Sequence, residues 1–273
     1  MKITLLFLSV FLSASLFGQT FGNGVTDIDG NYYETVIIGD QEWMAANLNT
    51  TKFNDGTAIG NITDLNQWSS LTIPNWVYMN NDSQFEIPYG KLYNGHTIMS
   101  TSKNICPNGW HVPSNEEFET LTTFLGGINS VGSLKEEGLA HWNSPNTGAT
   151  NTTGFSAVGN GSTYGMTSPG TFPNFGNAAN FHTTNAQNAT NTKFVFTLNT
   201  NNTIAQTFNS HFNDGAGIRC LKPYSTVGIE SIQLNRNLIQ ILDLMGRETS
   251  FKPNTPLIYV YDDGSTEKVF TIE

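Results

Sequence analysis

The sequence predicts an α+β fold in which short strands are combined with a few short helices, followed by a small all-β unit. Two observations support this class. Runs of β-branched and aromatic residues recur between turns that contain Gly, Asn and Asp, a pattern typical of short strands. The segment 114–127 carries both the start and the stop signals of one short helix. The length of the chain allows one substantial core and one small satellite unit.

The first 18 residues have the pattern of a secretory signal peptide. Lys2 supplies the positive start, residues 3–11 are apolar, and small residues lead to a predicted cleavage before Gln19. No later apolar run approaches the length that a membrane span needs, so we expect no such span after residue 18. We therefore expect a protein that is secreted or displayed at the cell surface after Sec export.

The first half of the predicted main domain, residues 19–224, contains short strands. We expect strands at 32–38 and 42–44, each preceded by a turn that contains Gly and Asp. Two more short strands are expected at 76–79 and 92–93, on either side of a polar loop. These segments are too short to build a large sheet, so they predict several small ones.

One short helix is specified by its own sequence. Ser114 and Glu117 have the S-x-x-E spacing of a capping box, in which each side chain accepts a hydrogen bond from the other residue's backbone N–H. Three apolar residues at i, i+3 and i+7 then form one stripe: Phe118, Leu121 and Leu125. The glycine pair at 126–127 ends the helix. A second short helix is predicted at 131–137.

The second half of the main domain is rich in loops. Residues 141–193 are mostly Asn, Thr, Gly and Ser without a helical period, and loops this long in a compact domain are usually functional or mobile. Isolated strand positions are expected within this loop at Phe155, Val158 and Tyr164. A hairpin is predicted from strands 193–198 and 203–208, and the last strand of the domain at 217–221.

Residues 225–273 form the predicted small all-β unit. Strand patterns occur at 237–244, 256–261 and 267–272, and Gly-containing turns separate them. Neither a nucleophile motif nor a metal-ligand pattern occurs in this segment, so its sequence indicates no chemistry of its own.

The charge of the chain disfavours two classes of partner. The formal net charge is −10 and only 12% of the residues are charged. An acidic chain of this kind has no electrostatic attraction for nucleic acid or for an anionic membrane. Abundant Asn, Thr and Gly suit a site that binds polar ligands through amides and hydroxyls, and they equally suit an uncharged, soluble surface.

The two cysteines allow two interpretations. In an exported protein, Cys106 and Cys220 most simply form one disulfide. Such a bridge would close a loop of more than a hundred residues, which the chain-entropy model values at about 4–5 kcal/mol. The alternative is a pair of reactive thiols.

Motifs of hydrolases and of metal sites are missing from the sequence. No G-x-S-x-G elbow occurs, although a Ser-His-Asp set is defined by geometry and leaves no fixed spacing to search for. The five histidines do not form a spacing such as H-E-x-x-H. His111 lies between Trp110 and Val112, which favours a core histidine with satisfied hydrogen bonds over a ligand.

Several segments identify a family when they are taken together. In order along residues 25–222, DIDGNYYETVIIGDQEWMAANL, YGKLYN, CPNGWHVPSNEEFETL and GIRCLK resemble the Fibrobacter succinogenes major paralogous domain family. The resemblance implies a C-type-lectin-like α+β fold, distantly similar to the formylglycine-generating enzyme domain. Cys106 and Cys220 match structural positions of the family, which favours the disulfide. Where such domains often carry Trp-Trp-Ser-Ser, this chain has Phe-His-Thr-Thr at 181–184.

The C-terminal unit has a resemblance of its own. Within 226–273, IQILDLMGRET and PLIYVYDDGSTEKVF are similar to the C-terminal sorting domain of type IX secretion cargo in Bacteroidota. The Tyr-Pro-Asn-Pro-like segment that usually begins this class is missing here. The resemblance implies passage through the type IX machinery, followed by cleavage of the tail and surface attachment or release. A plain structural β-domain is the alternative.

Four residues are candidates for a binding site. Sugar sites combine an aromatic face with amides or carboxylates, and Trp142-Asn143 and Asn213-Asp214 offer both. A C-type-lectin-like fold would place the two pairs on one loop side. Core packing is the alternative for Trp142. Trp43 and Trp110 belong to the family pattern and are expected in the core, whereas Trp68 and Trp76 are left undecided.

Calcium is a further possibility that the resemblance raises, because C-type-lectin-like folds can hold it through carboxylates and amides. The nearest candidate ligands are Glu136, Glu137, Asn143 and Asp214. No EF-hand series occurs, and we expect no other cofactor.

The sequence as a whole predicts a non-catalytic module that binds an extracellular glycan or protein. One alternative is an enzyme of the formylglycine-generating-like fold whose active site lies unrecognised in the 141–215 loops. A purely structural surface protein is the other.

Overall fold

A computed structural model describes residues 19–99, 102–163, 171–187, 192–224, 237–262 and 264–269. The chain divides into two compact units, Met1–Tyr224 and Ser225–Glu273. The predicted signal peptide and the strand position predicted at Tyr164 lie outside the described residues.

The first unit is mostly β, with small antiparallel sheets and a few short helices, which is consistent with the predicted α+β class. Its strands are β1 (Thr20–Phe21), β2 (Val25–Thr26), β3 (Tyr32–Tyr33), β4 (Thr35–Ile38), β5 (Gln41–Met44), β6 (Trp76–Val77), β7 (Leu92–Asn94), β8 (Ala178–Gln187), β9 (Thr192–Asn199), β10 (Ala205–His211), β11 (Gly215–Ala216) and β12 (Leu221–Pro223). The α-helices are α1 (Leu65–Trp68), α2 (Glu86–Tyr89), α3 (Gly95–Ile98) and α4 (Asn115–Phe124). Single 3₁₀ turns occupy Met79–Asn81, Ser83–Phe85 and Val131–Leu134.

The strands of this unit pair in four small sheets. Their orders are β1-β4-β5-β12, β10-β9-β8, β11-β7-β6 and β2-β3. Strand β12 lies beside β5, so the end of the unit pairs with its beginning. The predicted hairpin is confirmed, with Ala205 of β10 opposite Leu198 of β9.

Helix α4 confirms the predicted capping box. The Ser114 side chain accepts the Glu117 N–H at 3.2 Å, and a carboxylate oxygen of Glu117 accepts the Ser114 N–H at 2.8 Å. Phe118 and Leu121 of the stripe are buried in the main core. The second predicted helix forms only as the 3₁₀ turn Val131–Leu134.

The prediction of a core histidine at position 111 is wrong. The backbone of His111 pairs with Leu221 through two hydrogen bonds, of 2.9 and 3.0 Å, while Trp110 and Val112 are buried on either side. The His111 side chain is 41% exposed, and its Nε2 lies 2.6 Å from a carboxylate oxygen of Glu117. Alternation along the segment therefore turns this imidazole outward, onto the start of α4.

The predicted disulfide is confirmed. Cys106 and Cys220 are bonded, both are fully buried, and 114 residues separate them along the chain. The bridge joins the segment before α4 to the segment before β12. It therefore encloses the Asn- and Thr-rich segment 141–193 and the β8–β9–β10 sheet.

Arg219, the neighbour of Cys220, is the largest buried cation of the unit and is 1% exposed. Its guanidinium donates to the side chain of Asn47 at 2.6 Å, to the carbonyl of Met44 at 3.1 Å, and to the carbonyls of Phe155 and Ser156. Its Cζ lies 4.6 Å from the centre of the Phe155 ring. Burial lowers the pKa of this group. One side chain thus fastens three chain segments together.

Two strand predictions in the loop-rich half need correction. Strand β8 runs through Ala178–Gln187, inside the segment predicted to be loop. Its Asn, His and Thr residues obscure the strand pattern in the sequence. The strand forms because it pairs with the apolar β9, as at Phe181 opposite Phe196. The strand predicted at 217–221 forms only at its last residue, because β11 ends at Ala216, β12 begins at Leu221, and the chain between them passes from one sheet to another.

The second unit is a three-stranded antiparallel sheet with the order β13-β14-β15. Its strands are β13 (Leu238–Leu242), β14 (Leu257–Tyr261) and β15 (Thr266–Val269), which confirms the three predicted strands. Within the part of the chain that the structure describes, no helix has both the length and the apolarity that a membrane crossing requires.

We expect the disulfide to stabilise the first unit substantially. The double variant Cys106→Ala/Cys220→Ala should lose about 2–5 kcal/mol of the free energy of unfolding, because the open chain gains conformational freedom. Urea unfolding without reductant measures this loss. Wild-type protein treated with dithiothreitol is the control and should shift in the same way. Equal unfolding midpoints for the variant and the wild type would contradict the expectation.

Candidate functional site

A cleft of about 550 Å³ lies against one face of the β8–β9–β10 sheet, and we name it the polar cleft. Its lining residues are Ser162, Asn174, Ala178, Asn180, Val195, Thr197, Asn199, Phe208, Asn209, Ser210, His211, Asp214, Gly215 and Ala216. Amides, hydroxyls and small residues make up most of this lining. The cleft therefore offers many hydrogen-bonding groups beside apolar surface, which suits a ligand that has both.

The alternation of side chains along β8 and β9 creates this cleft. Successive residues of a strand point to opposite faces of the sheet. One face contributes to the main core through Ala179, Phe181, Phe196 and Leu198. The opposite face supplies the cleft with Ala178, Asn180, Val195 and Thr197. Of the polar residues that obscured β8 in the sequence, Asn180 lines the cleft.

Asn180 and Thr197 form the floor of the polar cleft, and hydrogen bonds hold their side chains in place. The side-chain oxygen of Asn180 accepts the Thr197 hydroxyl at 2.8 Å, and its amide donates to the Gly161 carbonyl at 3.0 Å. The side chain of Asn160 bonds both backbone groups of Asn180, at 2.9 and 3.2 Å. These contacts fix the amide before any ligand arrives, so binding would cost little ordering of the floor.

Phe208 gives the polar cleft an aromatic wall. It lies on β10 opposite Val195, on the cleft side of the sheet, and is 49% exposed. A half-exposed ring offers an apolar surface onto which the flat face of a ligand can pack.

One end of the polar cleft is the turn at 211–214. Asp214 is only 6% exposed, and its carboxylate accepts the Ser210 hydroxyl at 2.8 Å and the His211 N–H at 3.0 Å. The carboxylate therefore stabilises the turn through these two hydrogen bonds, and it also borders the cleft.

The buried cation Lys193 fastens the same turn from behind. It has no exposed surface, and its ammonium donates to the carbonyls of His211 at 2.5 Å and Asp214 at 3.1 Å. Burial lowers the pKa of Lys193 to about 7, and the charge of Asp214 acts in the opposite direction. This cleft wall thus depends on one desolvated lysine.

Trp142 does not present its ring to the polar cleft. It is 2% exposed, belongs to the main core, and donates its indole N–H to the Ala157 carbonyl at 2.8 Å. Core packing, the alternative that the sequence left open, is thus its place in the fold. All five tryptophans of the chain are buried, including Trp68 and Trp76. None of them offers an exposed stacking face.

Asn143 and Asn213 lie beside the polar cleft rather than in its lining. Asn143 is exposed, and its amide donates to the Phe175 carbonyl at 3.3 Å and to the Asn177 side chain at 3.1 Å. Asn213 donates to the carbonyls of Trp68 and Leu71, which attaches the end of α1 to the 211–214 turn. Of the four predicted residues, Asp214 alone lines the cleft. Binding by Asn143 and Asn213 stays a prediction.

The register of the β9–β10 hairpin indicates a surface role for Phe208, which its residue type alone does not. Once Ala205 is placed opposite Leu198, Phe208 falls opposite Val195, out of phase with the core positions Phe196 and Leu198. An aromatic residue on the non-core face of a hairpin indicates a surface role, but only after the register is known.

Candidate metal ligands have other partners. Glu136 accepts a hydrogen bond from His141 Nδ1 at 2.8 Å, and Asp214 is engaged by the turn. Across the described part of the chain, no three His, Cys, Asp or Glu side chains are grouped so that they could hold a metal. The disulfide also removes the free thiolate that thiol-based oxidase chemistry would require.

Burial of Lys193 should leave a measurable pH dependence of stability. Between about pH 7 and the pKa of an unfolded lysine, the unfolded chain binds more protons, so the free energy of unfolding rises with pH. In this window the wild type should gain up to about 1.4 kcal/mol per pH unit relative to Lys193→Met. Urea unfolding of both proteins from pH 6 to pH 10 measures the difference, because the remaining groups titrate in both. Parallel curves would contradict a buried lysine of lowered pKa.

Comparison with known proteins identifies the family of the chain. Searches among curated proteins and among solved structures gave no significant match. The family model described as the Fibrobacter succinogenes major domain matches residues 36–222, which is more than half of the 273 residues. The match ends at β12 and contains α4, both cysteines and the polar cleft. The chain therefore belongs to the Fibrobacter succinogenes major domain family.

Proposed function

We propose that this protein is a secreted or cell-surface, non-catalytic module that binds an extracellular polymer, with carbohydrate as the ligand class. The polar cleft is the proposed site. Its amides and hydroxyls match the many donors and acceptors of sugar hydroxyls.

The observation that carries this proposal is the half-exposed ring of Phe208 above an amide floor. A sugar ring has an apolar face of C–H groups and a rim of hydroxyls. Phe208 can cover the face, while Asn180, Thr197 and Asp214 of the same cleft can offer polar atoms to the hydroxyls. The Asp214 carboxylate accepts two hydrogen bonds from the turn, and its formal negative charge borders the cleft. This charge favours a neutral glycan over a strongly anionic one.

A C-type-lectin-like fold is part of the proposal. Family membership supports it, and so do the short capped helix, the small antiparallel sheets and the pairing of the last strand with the first hairpin. In this interpretation the loops enclosed by the disulfide form the ligand-binding side.

We also propose that residues 226–273 direct type IX secretion in a member of the Bacteroidota, after Sec export through the signal peptide at 1–18. The resemblance of the tail to sorting domains supports this route. A separate three-stranded β-unit that follows the family domain is also consistent with it.

Removal of the Phe208 ring should weaken polymer binding. Purified protein is incubated with insoluble cellulose, chitin, xylan, mannan and peptidoglycan, and the bound fraction gives the affinity for each. Phe208→Ala should lower the affinity for the retained polymer about tenfold, because apolar contact with the sugar face is lost.

The matched control is Phe251→Ala in the second unit, since Phe251 is 47% exposed and Phe208 is 49% exposed. This variant should bind as the wild type does. Equal affinities for Phe208→Ala and the wild type would remove the polar cleft as the site. Failure of the wild type to bind any of the polymers would count against the carbohydrate proposal as a whole.

Deletion of 226–273 should prevent export across the outer membrane. In the natural host the truncated protein should accumulate in the periplasm, because the sorting signal is gone while the Sec signal remains. Cell fractionation and surface proteolysis measure its location, with the full chain as the control. Normal surface display of the truncated protein would refute the sorting assignment.

A further inference from the structure

We propose that a second cleft, at the N-terminal edge of the first unit, is an additional carbohydrate-binding surface. We name it the aromatic cleft. It has a volume of about 450 Å³, and its exposed rim is formed by Phe21, Tyr32 and Glu34. The inference takes its ligand class, a carbohydrate polymer, from the proposed function, but it assigns a different site.

Two aromatic rings border this cleft, and both are more exposed than Phe208. Phe21 is 61% exposed and Tyr32 is 64% exposed. Single exposed apolar residues are ordinary on protein surfaces, but two such rings that line one concavity offer apolar surface to the same ligand. Sugar-binding sites require an aromatic surface of this kind, which the buried tryptophans of the chain do not provide.

The position of Tyr32 is fixed by the hairpin that carries it. Its neighbour Tyr33 is buried and donates its hydroxyl to Asp27 at 2.6 Å, while Asp27 also accepts the N–H groups of Asp29 and Asn31. The phenol end of Tyr32 lies against Gly24, where even a methyl group would come within 2.2 Å of the hydroxyl oxygen. The ring therefore rests on a glycine and exposes its remaining surface, so little side-chain freedom would be lost on binding.

Polar groups complete the aromatic cleft. Glu34 offers an exposed carboxylate, an acceptor suited to a pair of sugar hydroxyls. Asn151 and Ser156 are locked together, since the Asn151 side chain accepts the Ser156 N–H and donates to the Ser156 hydroxyl, both at 2.9 Å. The side chain of Gln19 donates to the Asn151 carbonyl at 2.9 Å. The combination of aromatic rings, a carboxylate and fixed polar groups is the chemistry that recognises a sugar chain.

A protein partner would also find apolar surface here, but the lining favours a glycan. A stable protein interface needs roughly 1,000 Å² or more of buried area with a dry apolar centre. The aromatic cleft has a volume of about 450 Å³, and amides, a carboxylate and two alanines line it together with the rings. Such a cleft matches one or a few sugar units in size and polarity.

Two binding sites for one polymer would raise its overall affinity without any new contact at either site. A repeating chain that spans both clefts presents its further repeats to the second cleft at a high local concentration. The expected signature is a protein that binds polymers much more tightly than short oligosaccharides, and that loses affinity when either cleft is damaged.

The test compares five variants on the insoluble cellulose, chitin, xylan, mannan and peptidoglycan described above. Phe21→Ala and Tyr32→Ala remove the rings of the aromatic cleft, and Tyr32→Phe keeps a ring. Phe208→Ala reports on the polar cleft, and Phe251→Ala is the neutral control. The substituted side chains are exposed, so we expect the variants to fold, and urea unfolding of each checks this.

The proposal expects Tyr32→Ala and Phe21→Ala each to lower polymer affinity about five- to tenfold, with Tyr32→Phe and Phe251→Ala close to the wild type. If Phe208→Ala loses affinity while Tyr32→Ala and Phe21→Ala do not, the second surface is overturned and the proposed function stands. If only the Tyr32 and Phe21 variants lose affinity, the second surface is supported and the polar cleft is not the site. If the wild type binds no polysaccharide, or only protein, both proposals are overturned.

Discussion

Buried cations that bind loop carbonyls are the constraint on which the rest of this structure depends. Irregular backbone inside a domain must find partners for its carbonyl groups, and in this chain few strands are long enough to supply them. The four cations that do so are Lys91, Lys135, Lys193 and Arg219, each no more than 2% exposed. The ammonium group of Lys135, for example, donates to three carbonyls, those of Thr147, Asn199 and Asn202. Burial of each cation costs desolvation energy, which lowers the pKa of Lys135, Lys193 and Arg219. The several hydrogen bonds that each cation donates offset this cost.

This mode of construction also holds the irregular segments that border the polar cleft, whose lining comes mostly from β8, β9, β10 and β11. Arg219 fastens the segment around Phe155 to the end of β5, and the disulfide at the next residue joins the same point to the start of α4. Lys193 holds the turn that carries Asp214. A cleft wall that rests on these bonds keeps its shape without a ligand, and preorganisation of this kind lowers the entropy lost on binding.

The sequence predicted those features whose cause is local, and it missed those whose cause is a partner strand. Ser114 and Glu117 interact over one helical turn, so the start of α4 follows from their spacing. Strand β8 follows from its pairing with β9, which its polar composition does not reveal. The exposure of Trp142 and Phe208 also depends on distant parts of the chain and could not be predicted from residue type. Residue type favoured the tryptophan as the ligand-facing ring, whereas sheet register exposes the phenylalanine and buries the tryptophan.

The distribution of aromatic residues connects the fold to the proposed binding. Every tryptophan is buried, so the exposed rings that line the two proposed clefts are the smaller ones of Phe21, Tyr32 and Phe208. A smaller ring covers less apolar area, and apolar contact energy scales with that area. Each cleft alone should therefore hold a sugar weakly. Weak sites suit a polymer better than a small sugar, because a repeating chain that spans two of them gains affinity from their joint occupancy.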